Sequence, residues 1–141
     1  MKDLVKAKTT LAEGGYTCVL CRGDAVYTSR DRGVAPLIGW YESGAVESGF
    51  SAADKVVGNA AAYLYVLMGA VRVHALTISE SALKTLTENS IETSWENLVP
   101  AIKNRAGDGF CPMETAVRNA ESPRHALELV KETLARLKNG K

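Results

Sequence analysis

The spacing of apolar residues divides the chain into short helical and extended segments. Leu4, Ala7 and Leu11 share one face of a helix over 3–13, which Gly14-Gly15 stops. Two β-rich runs, 16–22 and 25–29, flank Gly23-Asp24 and read as a hairpin. Helical period returns over 33–43, where Val34, Leu37, Ile38 and Tyr41 fall at i, i+3, i+4 and i+7, with Pro36 in the first turn. A short extended piece over 45–50 leads to residues 53–69, which read as one long helix ended by Gly69. That segment is apolar nearly all round, so it belongs between a sheet and other helices. Residues 71–78 form a strand, and Ser79 caps a helix over about 80–89 with Leu83 and Leu86 inward. A strand at 91–95 and an extended piece at 98–102 follow. A glycine-containing loop then enters a helix at Cys111-Pro112. Ser122-Pro123 opens the last helix, whose stripe is Leu127, Val130, Leu134 and Leu137. Helices alternating with strands behind a hairpin predict an α/β protein, a mixed sheet in a three-layer α/β/α sandwich. No repeat or linker interrupts the pattern, so residues 1–141 read as one domain.

Composition narrows the function classes. Apolar residues make up 46% of the 141 and charged residues 23%, enough for a real core without staples. Seventeen Lys and Arg against 16 Asp and Glu leave a net charge of +1, with no basic surplus to bind nucleic acid. Three Cys make an odd number, which fits a reducing compartment better than a disulfide framework. The start, MKDLVKAKTT, is charged where a secretory signal needs an apolar run. The longest uncharged apolar stretch, Val56 to Val71, falls short of the roughly 20 residues that cross a bilayer. A cytoplasmic protein without membrane contact is expected.

Few residues invite chemistry. Cys18 and Cys21 match C-x-x-C, but in a strand they point to opposite faces and serve as small core residues. His74 in a strand and His125 in a first helical turn find no companions at metal-ligand spacing, so no metal and no cofactor are expected. The sharpest local feature is Asn104 to Glu114, where two glycines precede Cys111 at a helix start with Pro112 at the first helical position. Free N–H groups there lower a thiol pKa and attract anions, and Arg105 would add a fixed charge for a phosphate or carboxylate. The competing reading is a capping box, with Glu114 folding back onto its own helix start. Ser51 and Asp54 fit a second capping box at the mouth of the long helix. There Asp54 and Lys55 would stand at the sheet edge, where α/β folds place ligand crevices.

The segments DKVVGNAAAYLYVLMGAVRVHALTISESAL and NRAGDGFCPMETAV resemble a domain-of-unknown-function family of small prokaryotic proteins with a cytidine-deaminase-like fold. The resemblance implies a mixed sheet with helices on both faces and a crevice of the deaminase type. It does not imply deamination. Zinc deaminases need a His or Cys followed by Glu at the first core helix, then Pro-Cys-x-x-Cys after the next strand. Here Asp54 and Val56 stand near those first positions, and Ser79-Glu80-Ser81-Ala82 follows the strand without a Cys.

Three functions are then open. The first is a small-molecule site, nucleotide-like by analogy of fold, walled by Asp54, Lys55, Ser79, Glu80, Asn104, Arg105 and Glu114 beside Cys111. The second is an enzyme using Cys111 as nucleophile or redox thiol. The third is a non-catalytic interaction module. Asp54, the start of the helix at Ser79-Glu80 and Cys111 are expected to open toward one edge of the sheet.

Overall fold

The computed structural model describes residues 2–31, 33–103, 107, 109 and 111–139. It opens with α1 (Lys2–Gly14), which buries Leu4, Ala7 and Leu11 at the spacing its sequence sets. The hairpin strands β1 (Cys18–Arg22) and β2 (Ala25–Ser29) pair antiparallel around Gly23, whose φ of 58° suits the tight turn. Helix α2 (Ala35–Ser43) buries Leu37 and Ile38. Next come β3 (Ser51–Val57), α3 (Asn59–Met68), β4 (Arg72–Ser79), α4 (Glu80–Glu88) and β5 (Glu92–Val99). The short α5 (Pro112–Ala116) and the long α6 (Pro123–Asn139) close the chain.

The long helix expected over 53–69 is two elements. Its first half is strand β3, and the helix begins only after Gly58, which sits extended at the cap position. A strand buried on both faces by small residues shows no alternation of apolar and polar positions, so Ser51-Ala-Ala-Asp-Lys carried no period-2 signal. The capping box of Ser51 and Asp54 is therefore absent, since both are strand residues. The pieces expected at 91–95 and 98–102 are largely one strand, β5.

The sheet runs in the order β2-β1-β3-β4-β5, with β1 antiparallel to both neighbours and β3, β4 and β5 mutually parallel. One face carries the main core, where α2, α3, α4, α5 and α6 contribute to a cluster around Leu20, Ala52, Tyr65 and Val73. The other face is covered by α1 alone among the described helices, through Ala7 and Leu11 against Val19, Cys21 and Ala53. Helices thus lie on both sides of the sheet. Cys18 and Cys21 join opposite clusters. Helix α3 packs on α4 and α6. In α6, Ala126 and Val130 are buried, whereas Leu137 is exposed at the rim of a hollow between α5 and α6.

Candidate functional site

Residues 54 and 55 are neighbours in a strand, so their side chains leave by opposite faces of the sheet. Asp54 points to the α3 side. Its Oδ2 accepts a hydrogen bond from the Tyr65 hydroxyl at 2.7 Å, and the Cys18 sulfur lies 3.3 Å from the same hydroxyl. Tyr65 has one proton and gives it to the carboxylate, so the Cys18 thiol donates to the Tyr65 oxygen. Burial lifts Asp54 to about 6 despite the opposing bonds from Tyr65 and from the Val56 and Lys55 amides. Burial also raises Cys18 and Tyr65 well above their ordinary values. Asp54 is engaged inside the core and does not wall a crevice at a helix start.

The helix starts themselves are closed by the chain's own groups. Ser79 is fully buried, and its Oγ accepts from the Ala82 amide at 3.1 Å as the cap of α4, while Glu80 is exposed. Glu114 does not fold back onto α5. Its carboxylate crosses to α3, where Oε1 accepts from the Asn59 amide at 2.7 Å and Oε2 from the Ala60 amide at 3.1 Å. A Cβ on Gly58 would lie 2.3 Å from Glu114 Oε2, so the carboxylate seats only because residue 58 is glycine. The Asn59 side chain is held in turn by Thr85 at 2.5 Å. Cys111 is half-buried at the cap of the five-residue α5 and makes no side-chain cap bond. Its amide donates to the Ile102 carbonyl at 3.0 Å. Both histidine rings bond elsewhere, at Ser94 and at the Glu121 amide. Asn104 and Arg105 lie outside the described residues.

Lys55 belongs to a different place, a cleft of about 540 Å³ between α1 and the uncovered part of the sheet. Its lining combines Lys8 and Glu13 from α1 with Lys55, His74, Leu76 and Glu96 from β3, β4 and β5. His74 is only 5% exposed, and its Nδ1 pairs with Ser94 Oγ at 2.7 Å. Its Nε2 is buried with no hydrogen-bond partner, 3.7 Å from Glu96 Oε2. Burial, then the charge of Lys8, lower the His74 pKa, and Glu96 opposes them. The ring is thus neutral near pH 7. A carboxylate facing Nε2 favours the tautomer with its proton there, and Ser94 then donates to Nδ1. The cleft is lined by His74, whose buried Nε2 has no hydrogen-bond partner, with two lysines and two carboxylates around it. Asking only for metal-ligand spacing around His74 did not bring out this cleft. The signal was strand parity, since Lys55, His74 and Glu96 share a face once β3 is a strand.

A larger hollow of about 750 Å³ lies between α5 and α6, edged by Pro112, Thr115, Thr133, Arg136 and Leu137. Its one charged group, Arg136, bonds to the Thr133 hydroxyl, and it holds no orphaned polar atom. The unpartnered ring nitrogen and the greater number of charged groups line the smaller cleft. Among the described residues no three His, Cys, Asp or Glu groups are placed to hold a metal ion, and no helix is long and apolar enough to cross a membrane.

A model of the family described as TM1506, domain of unknown function (DUF1893), matches residues 6–134. The crystal structure of a DUF1893 family protein from Thermotoga maritima is similar to this chain at 26% identity and a TM-score of 0.83. The match covers 96% of this chain and 91% of that one. No curated protein matches.

Proposed function

We propose that this chain, which belongs to the DUF1893 family of domains of unknown function, binds a small polar metabolite in the cleft between α1 and the β3–β5 face. The observation that carries this is His74 Nε2, a polar atom buried without a partner where unmatched burial costs about 1–3 kcal/mol. A ligand acceptor seated in the cleft would remove that cost. The volume lies within the range of small-molecule pockets. No Phe, Tyr or Trp among the described residues lines it to stack a base, so the reading departs from a nucleotide toward something smaller and more polar. In this reading the deaminase-like sheet is a scaffold without a metal, and the ligand sits on the face away from the helix starts.

A thermal-shift screen of nucleotides, nucleobases, amino acids and small organic acids tests this in the wild type, Lys55→Ala and His74→Ala. Small polar ligands are expected to raise the wild-type melting temperature and to lose that effect in both variants. Nucleotides stabilising all three proteins equally would place the site elsewhere and overturn the proposal.

A further inference from the structure

The register of the sheet says how the charges of the cleft are laid out. Lys55 lies between the register pairs Asp54–Ala75 and Val56–Thr77, and so stands beside Leu76. Leu76 in turn lies between Ala75–Trp95 and Thr77–Asn97, and so stands beside Glu96. The three residues therefore form one row across β3, β4 and β5 on the α1 side. Two strand spacings separate the ends of the row, roughly 10 Å between backbones. A cation stands at one end, a carboxylate at the other, and an apolar Leu76 floor between them. His74 lies two residues before Leu76 on the central strand, next to that floor.

The end groups are uncommitted. Lys55 and Lys8 make no ion pair among the described residues, and Glu96 has only the distant His74 ring. A positive end, a negative end and an apolar middle match a ligand with the opposite layout. From this row we infer that the cleft recognises a small linear zwitterion, an amino carboxylate whose carboxylate meets Lys55 and whose ammonium meets Glu96 across a short apolar chain. His74, beside that floor, therefore serves as a reporter of whether the row is occupied. A ligand with one charge would leave either a lysine or a carboxylate desolvated beneath it without a partner. That asymmetry selects against plain carboxylates and plain amines.

This inference rests on the reading of the cleft as a ligand site, and the test separates the two. Linear ω-amino acids from glycine to 6-aminohexanoate are titrated into the full chain by calorimetry, beside alkyl carboxylates and alkylamines of matched length. The nitrogen shifts of the His74 ring are followed by NMR. Binding is expected to peak at one chain length, at least about tenfold tighter than either matched half-molecule, which corresponds to roughly 1.4 kcal/mol. Lys55→Gln and Glu96→Gln should each remove that advantage, and both lie on exposed positions where folding tolerates the change. A carboxylate or an amine that moves the His74 signals and binds as tightly as the best zwitterion would overturn this inference and leave the site standing. Failure of every probe to move the His74 signals would overturn both.

Discussion

The buried carboxylate of Asp54 makes one residue answerable to pH. Its folded pKa of about 6 lies above the ordinary unfolded value of 3.8, so folding favours the protonated form. The sign follows. Stability from this group is fully present below about pH 4 and is lost as pH rises through 6. The gap is about two units, worth roughly 3 kcal/mol at neutral pH. Asp54→Asn keeps an acceptor for Tyr65 and cannot ionise. Urea unfolding between pH 4 and 7 should show the wild type losing roughly 2–3 kcal/mol relative to this variant. Parallel curves for the two proteins across that range would show that Asp54 ionises without cost. The same residue shows what the sequence concealed. Asp54 and Lys55 were legible as polar groups in an apolar stretch, but one neighbour enters the core and the other enters the cleft. Nothing but the identity of the element, strand or helix, decides that.

Between elements, the telling contact is Glu114 on α3. The two short bonds to Asn59 and Ala60 satisfy amides that no helical carbonyl can reach, and the carboxylate complements the positive end of the helix. Glu114→Ala should cost about 1–2 kcal/mol. Gly58→Ala should cost a similar amount by displacing the carboxylate, and markedly less once Glu114 is already Ala. Strict additivity in that double-mutant cycle would deny the contact. Helix α1, the hairpin, β4 and the Ser79 cap of α4 were readable because each is written in neighbouring residues: a 3.6 period, a Gly turn, a Ser before the helix. The contact from Glu114 spans 55 positions of chain, so a local capping box was the nearest available reading, and it was the wrong partner. Strand β3 was lost for a related reason. Its burial on both faces is a property of the assembled layers and leaves no alternation in Ser51-Ala-Ala.

At the scale of the molecule, the two faces of the sheet are unequally defended. Five helices share one core, whereas among the described helices only α1 covers the other face, resting on small side chains. Such a helix is the natural unit of local opening, detaching at a free energy well below that of global unfolding. The same helix supplies Lys8 and Glu13 to the cleft. Anything held between those residues and Lys55, His74 and Glu96 must be released before α1 can lift. Occupancy of the cleft and attachment of α1 are therefore linked quantities. At a ligand concentration 100 times Kd, the opening free energy should rise by about 2.7 kcal/mol. Amide hydrogen exchange would read this directly. Exchange along α1 and at Val19, Cys21 and Ala53 beneath it should slow by roughly 100-fold, while amides behind α3 keep their rates. Uniform slowing on both faces would mean that α1 opens only with the whole fold. Face-selective slowing would make the N-terminal helix a latch, whose dwell time reports how much of the metabolite surrounds the protein.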